Sequence, residues 1–136
     1  MDKREFLISK LHELVKTAYG CTEIGAIAYP CAAAYAQANN EPIEELKIEI
    51  SSNIYKNVSR VGVPNLGFCG VSMIAAAGAI IAEPERKLEM FATITEQQKQ
   101  KANDIVVEKR VKVVVPKEAA PVYEKDTIIT QRDKKI

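Results

Sequence analysis

The apolar residues near the start of the chain recur with the period of an α-helix. Residues 2–18 place them at steps of three and four, which predicts an amphipathic helix with one apolar face. Asp2 suits the N-terminus of this helix, and Gly20 is a natural stop after it. The residues of the apolar face are Leu7, Leu11, Leu14, Val15 and Ala18.

Two later segments are apolar nearly all round and therefore predict buried helices. The first covers residues 23–39, with Thr22 as its N-cap and Glu23 placed to interact with the helix dipole. Pro30 lies inside this segment and predicts a kink. The second segment, residues 70–82, is rich in Ala and Gly, and its small side chains favour close helix packing.

Two further helices are predicted over residues 84–91 and 95–108. In the second of them, Thr95 and Gln98 have the spacing of a capping box. Residues 61–67 are rich in turn-forming residues and predict a turn.

Strands are predicted where apolar and polar residues alternate or where β-branched residues dominate. Residues 46–50 alternate and predict a half-buried strand, and residues 111–115 and 122–130 predict two more. The polar segment 51–57 fits neither period.

These elements predict an α+β protein. It is mostly helical, with a central Ala/Gly-rich helix, a short strand near 46–50 and a C-terminal strand or hairpin. The predicted organisation is a helical part over residues 1–108, followed by residues 109–136 as the start of a β-containing segment that is cut short. Because an isolated strand pair is marginal and exposes its edges, these strands indicate truncation or pairing with another chain, including a homo-oligomer.

The charge and the hydropathy limit the class of partner. The 136 residues carry 19 basic and 18 acidic side chains and a net charge of +1, which argues against nucleic acid or an anionic membrane as the main partner. The longest weakly polar run, residues 67–82, is shorter than the roughly 20 residues needed to span a bilayer. The start MDKREFLISK lacks the features of a secretory signal. We therefore expect a soluble protein in the cytoplasm.

The three cysteines are an odd number without framework spacing, which argues against a disulfide scaffold. Cys21 lies just before a predicted helix, where free backbone N–H groups and the helix dipole stabilise a thiolate or an anionic cluster. Packing at a helix junction is the alternative. If residues 22–31 are helical, Cys31 lies roughly 15 Å away and is expected to serve packing. Cys69 precedes the second buried helix and is able to approach Cys21.

The segment 51–57 gathers hydroxyls, amides and one ammonium group after a predicted strand. Such groups are able to hold the carboxylate and amino group of a small substrate, and a desolvated lysine is able to act as a base. A polar turn whose side chains bond the local backbone is the alternative. The candidates are Ser51, Ser52, Asn53 and Asn57 for substrate binding and Lys56 for catalysis.

Several motifs occur together and in a fixed order. They are Gly20-Cys21-Thr22-Glu23, Ala26-Ile27-Ala28, Ser51-Ser52-Asn53-Ile54-Tyr55-Lys56-Asn57-Val58, Val61-Gly62-Val63-Pro64 and the Ala/Gly-rich helix. With these motifs the chain resembles the L-cysteine desulfidase family, also called serine dehydratase-like alpha chain proteins. The resemblance runs over most of the chain and corresponds to the N-terminal portion of the family.

The resemblance implies a [4Fe-4S] cluster held by three cysteines, with one iron open as a Lewis acid toward the β-substituent of a small amino acid. Loss of the α-proton and the β-group then gives pyruvate and ammonia, with sulfide from L-cysteine or water from L-serine. It implies that Cys21 is the first cluster ligand and that residues 51–57 line the substrate site. The family places its other two cluster cysteines in a C-terminal part, so the resemblance also implies a second chain that supplies them.

The chain departs from the family pattern at two positions. Ile24 stands where Pro is common, and Asn65 follows Pro64 where the family has Gly. Because Asn tolerates a left-handed conformation, we expect this turn to survive. Two other hypotheses are a non-catalytic remnant or interaction domain that keeps the fold without a cluster, and a thiol-reactive sensor centred on Cys21.

Overall fold

The computed structural model describes residues 2–15, 17, 20–39 and 41–134 and has the predicted α+β fold. Its helices are α1 (Lys3–Leu14), α2 (Thr22–Ala36), α3 (Ser52–Val58), α4 (Val71–Ile81), a 3₁₀ segment (Pro84–Thr93), α5 (Glu96–Val107) and the short α6 (Gln131–Lys134). Its strands are β1 (Ile43–Ile50), β2 (Val61–Val63), β3 (Gly67–Cys69), β4 (Val111–Val114) and β5 (Glu124–Thr130).

The larger sheet is centred on β1, which lies between β4 and β5. β4 runs parallel to β1 and β5 runs antiparallel to it. The alternation predicted over 46–50 is confirmed, because Leu46, Ile48 and Ile50 are fully buried on the face that meets the helices. The strand itself begins at Ile43.

The C-terminal strands β4 and β5 do not form a hairpin with each other. Each pairs with β1 instead, so neither lacks a partner within the described part of the chain. Residues on both sides of the predicted boundary at 108 therefore contribute to one sheet. The alternation of apolar and polar residues predicts that a segment is a strand, but it does not show which strand it pairs with. Here the partner of β4 and of β5 is β1, which is remote from both in sequence.

Helices α2 and α4 cross at very close range in the centre of the core. A Cβ atom built on Gly78 of α4 would lie 2.7 Å from the Ala28 carbonyl oxygen and 2.8 Å from the Ala28 Cα atom of α2. Both helices contribute residues to the buried cluster, which confirms the predicted close packing of small side chains. Pro30 lies within α2, and the helix runs on past it to Ala36.

Local features depart from the predictions mainly where the sequence is polar. The segment 51–57 is mostly helix α3, and the turn-rich segment 61–67 begins a β2–β3 hairpin in which Asn65 has the expected left-handed φ of 69°. The helix predicted over 84–91 is a 3₁₀ segment interrupted at Lys87, where φ is 50°. The capping box at the start of α5 is confirmed.

Helix α1 forms as predicted over most of residues 2–18, with a capping box between Asp2 and Glu5. None of its residues is buried, although the sequence predicts an apolar face. Leu11 and Leu14 are 61% and 73% exposed. Ala18, the last residue of the predicted face, lies outside the described residues.

The close approach of α2 and α4 generates a stability prediction. Gly78→Ala places a methyl group against the Ala28 backbone, which has no side-chain freedom to yield. We expect the free energy of unfolding to fall by about 1 to 2 kcal/mol, because overpacking outweighs the better helix propensity of Ala. Urea denaturation measures the change.

The matched control is Gly62→Ala, where the new Cβ would meet the nearest Phe68 ring atom at 3.5 Å, an ordinary van der Waals distance. We expect its free energy of unfolding to stay within about 0.5 kcal/mol of the wild type. Equal stability of the Gly78→Ala protein and the wild type would contradict the close backbone contact.

Candidate functional site

The first element of the candidate site is the N-terminus of α2. Cys21, rather than the predicted Thr22, is its N-cap residue, with an extended backbone and no capping hydrogen bond from its side chain. The thiol is exposed and lies beside the free N–H groups of the first helical turn. The chain reaches this position through Gly20, whose φ of +113° is costly for any residue with a side chain.

Glu23 connects α2 to α3. Its carboxylate accepts a hydrogen bond from Asn57 Nδ2 at 3.2 Å and one from Thr22 Oγ1 at 3.4 Å. The backbone N–H of Glu23 itself, followed by the Cys21 thiol, lowers the pKa of this carboxyl below its usual value. Glu23 is therefore ionised at neutral pH and places a negative charge next to Cys21.

The polar residues of segment 51–57 are presented by α3. Ser51 precedes the helix and is 2% exposed, and its Oγ has no hydrogen-bond partner among the described residues. Asn53 Nδ2 donates to the Pro121 carbonyl at 3.3 Å, which links α3 to the segment before β5. Ser52 and Lys56 are exposed.

These two regions meet at a cavity of about 340 Å³. This volume lies within the range of roughly 300–1,000 Å³ that is typical of small-molecule sites. Its described lining consists of Thr22, Glu23, Ala26, Asn53, Ile54, Asn57, Pro121 and Val122. The structure thus brings Thr22 and Glu23, which follow Cys21 directly, together with two of the predicted substrate-binding residues, Asn53 and Asn57, although the two motifs are far apart in sequence. The other candidates are not part of this lining: Cys21, Ser51, Ser52 and Lys56.

A second polar group lies on the buried face of the sheet, and the sequence did not predict it. Cys31 of α2 is fully buried, as expected for a packing residue, but its thiol donates to Asp126 Oδ2 at 3.0 Å. Asp126 and Glu124 stand opposite the buried Ile48 and Ile50 of β1, so all four side chains share one face. The signal available in the sequence was the alternation Glu124, Asp126, Ile128, which places two carboxyl groups on the inward side.

Burial controls the protonation of this second group. Loss of hydration, followed by the charge of Asp126, raises the pKa of Glu124 to about 9, and loss of hydration raises the pKa of Asp126 to about 6. Burial and then Asp126 also raise the pKa of the Cys31 thiol well above its usual value. At neutral pH Glu124 holds a proton, Asp126 is mostly ionised, and Cys31 is a neutral hydrogen-bond donor.

Cys69 lies at the end of β3 and lines a different cavity of about 570 Å³, together with Tyr55, Phe68 and Met73. Burial raises the pKa of its thiol. Cys69 is not among the described residues that line the cavity beside Cys21.

The described residues do not fit a [4Fe-4S] cluster held by three ligands from this chain. Within residues 2–15, 17, 20–39 and 41–134, no group of three or more His, Cys, Asp and Glu side chains is arranged to hold a metal ion. Cys21 is exposed at one end of α2, whereas Cys31 is buried in the core and bonded to Asp126. Cys21 therefore lies apart from Cys31 and belongs to no such group among the described residues.

None of the helices in the described part of the chain is both long enough and apolar enough to cross a membrane.

The chain is similar in sequence to several UPF0597 proteins. The chain is 37% identical over 121 residues to a UPF0597 protein of Oleidesulfovibrio alaskensis, which covers 89% of this chain and 28% of that protein. It is 41% identical over 99 residues to a UPF0597 protein of Shewanella baltica, covering 73% of this chain and 23% of the relative. A UPF0597 protein of Shewanella putrefaciens is 42% identical over 106 residues, covering 78% and 25%.

The chain spans about a quarter of the length of the curated relatives that it matches. No family model matches the chain. No solved structure matches it.

The half-buried carboxyl pair of Glu124 and Asp126 predicts a pH dependence of stability. The folded protein holds a proton on Glu124 up to about pH 9, whereas the unfolded chain releases it near the ordinary value of 4.5. Unfolding therefore releases a proton between these pH values, and the free energy of unfolding falls as the pH rises through this window. Glu124→Gln keeps the neutral shape, and we expect it to flatten this fall in urea denaturation at pH 5, 7 and 9.

At about pH 8 the Glu124→Gln protein should be more stable than the wild type by roughly 1 kcal/mol or more, because the wild-type Glu124 must take up a proton on folding at a pH well above its ordinary pKa, whereas glutamine needs none. The control is Glu118→Gln, which removes a carboxyl group from an exposed position and should leave the pH profile parallel to that of the wild type. An unchanged profile for Glu124→Gln would show that Glu124 does not hold the proton.

Proposed function

We propose that this chain supplies one part of an iron–sulfur-dependent lyase that performs β-elimination on a small amino acid. L-cysteine would give pyruvate, ammonia and sulfide, and L-serine would give pyruvate, ammonia and water. The observation that carries the proposal is that Thr22 and Glu23, which follow Cys21 directly, line one cavity together with Asn53 and Asn57. The motifs that contain these residues belong to the resemblance to the L-cysteine desulfidase family, and their meeting at one cavity supports the proposal.

The residues of this cavity suit an α-amino acid. The ionised Glu23 is able to bind the substrate ammonium, because its pKa is lowered at the helix N-terminus. Asn53 and Asn57 each use one Nδ2 hydrogen in the hydrogen bonds described above and keep a second donor for the substrate carboxylate. Lys56 is exposed on the same helix, and its part as the base remains a prediction.

Cys21 is assigned as the single cluster ligand from this chain. Its exposure and its place at the helix N-terminus suit an anionic ligand. We propose that a second chain supplies the remaining cluster cysteines, since Cys31 and Cys69 lie elsewhere in the fold. We place the assembly in the cytoplasm, where thiol ligands stay reduced.

Anaerobic reconstitution tests this function. The chain is purified with and without the remaining part of the Oleidesulfovibrio alaskensis relative, and both samples are treated with iron and sulfide. We expect bound iron and pyruvate formation from L-cysteine or L-serine only when the second chain is present. Iron and sulfide analysis and a pyruvate assay measure the two effects.

Two variants in this experiment distinguish the role of Cys21 from that of Cys69. Cys21→Ala should abolish pyruvate formation and lower the bound iron, whereas Cys69→Ala should retain both within about twofold, as a change remote from the site does. If no cluster forms under either condition and Cys21→Ala changes nothing, the chain is not a lyase component.

A second candidate function is a non-catalytic interaction domain that retains the fold without a cluster. The observation that favours it is the lack of a three-ligand group within the described residues. It predicts stable binding to the second chain with no iron and no pyruvate in the reconstitution above.

A further inference from the structure

Helix α1 presents an apolar surface that the described part of the chain does not cover. We call this surface the α1 face and define it by Leu7, Leu11, Leu14 and Val15, which are 52%, 61%, 73% and 68% exposed. These residues recur at steps of three and four and therefore lie on one side of the helix. Among the described residues, α1 has no extensive contact with another helix or strand.

An exposed apolar face on a short helix indicates that another protein surface packs against it. Helices of about 12 to 15 residues are only marginally stable in water without tertiary packing, and α1 has 12 residues. A contiguous apolar stripe on a surface helix normally faces a core or another protein. The capping box of α1 fixes the start of the helix but buries none of this stripe.

The length of the relatives indicates what covers the α1 face. The matched regions span only 28%, 23% and 25% of the three UPF0597 proteins compared above, so about three quarters of each relative has no counterpart in this chain. In such a protein the additional part is available to pack against the matched part. The α1 face is an apolar surface that the described part of this chain leaves open.

The position of α1 also places this surface near the candidate site. Cys21 follows Val15 by six residues, so their Cα atoms lie within about 20 Å of each other even if the connection is fully extended. Val122, which lines the cavity beside Glu23, is 80% exposed. A partner seated on α1 is thus within reach of both Cys21 and the open side of the cavity.

We propose that the α1 face is the docking surface for a second polypeptide that corresponds to the remaining three quarters of a UPF0597-type protein. The existence of this second chain rests on the proposed function, but docking through α1 does not depend on the cluster chemistry. Docking buries the apolar stripe and brings the partner's residues to Cys21.

Co-purification in air, without added iron, tests the docking surface. The tagged 136-residue chain is co-expressed with the untagged remaining part of the Oleidesulfovibrio alaskensis relative, and the amount retained on the affinity resin is measured. We expect one partner chain per tagged chain by light scattering. Leu7→Glu combined with Leu11→Glu should lower the retained amount about tenfold or more, because two charges would be buried in an apolar contact.

The matched control combines Ser9→Glu with His12→Glu, which adds the same two carboxylates to exposed positions of α1 outside the α1 face. It should retain the partner within about twofold of the wild type. Neither double variant should change the thermal midpoint of the chain alone by more than about 2 °C, because α1 buries no residue in it.

A chimera provides the same test in case the second chain does not fold by itself. In it, this chain replaces the matched quarter of the Oleidesulfovibrio alaskensis relative, and Leu7→Glu with Leu11→Glu should lower its thermal midpoint by about 5 °C or more while the control pair does not. Equal effects of the two pairs in the chimera and in co-purification overturn the proposal. Self-association of the chain alone that is lost only in the leucine variant also overturns it, since the α1 face would then join two copies.

The two proposals fail in different ways. If partner binding depends on the α1 face but the anaerobic reconstitution gives no bound iron and no pyruvate, the docking proposal stands and the lyase proposal fails. If the variant with Leu7→Glu and Leu11→Glu still forms pyruvate, the lyase proposal stands and the docking proposal fails.

Discussion

The close contact between the backbones of α2 and α4 is the constraint on which the rest of the fold depends. Gly78 lets the two helices approach until the Ala28 backbone leaves no room for a side chain between them. This contact fixes α2, and α2 in turn carries Cys21 and Glu23 at one end and Cys31 near its middle. Strand β5 and helix α3 pack against this same helix.

The pKa values of two glutamates, Glu23 and Glu124, are shifted in opposite directions. Glu23 stands at the start of α2, where backbone N–H groups favour the charged carboxylate and lower its pKa. Glu124 lies on the buried face of β5, where the loss of hydration favours the neutral acid and raises its pKa. One side chain is thereby suited to bind a cation at neutral pH, and the other contributes a proton to the hydrogen bonding of the core. The difference comes from environment alone, since both are glutamates.

The sequence predicted the elements whose signal is local and missed those whose signal depends on the partner. The apolar, Ala-rich composition of α2 and α4, the alternation in β1 and the capping box of Thr95 are all local signals, and each predicted element is present in the structure. The pairing of β4 and β5 with β1 and the hydrogen bond between Cys31 and Asp126 depend on residues distant in sequence. Segment 51–57 was not recognised as a helix because Ser and Asn have low helix propensity, and here Ile54 and Val58 stabilise it by packing in the core. For the candidate site, the residue types were available from the sequence, but their meeting at one cavity required the fold.

The order of strands in the larger sheet also has a consequence for the time course of folding. The central strand β1 is made well before both of its neighbours, β4 and β5, because helices α3, α4 and α5 lie between them in the sequence. Until then β1 has no strand to pair with, and its buried face of Leu46, Ile48 and Ile50 has only helices to cover it. Contacts of such long sequence separation slow folding and leave strand edges open to association during translation. The sheet is thus completed only after β5 has left the ribosome, and a nascent chain that stops before β5 presents an unpaired edge of β1.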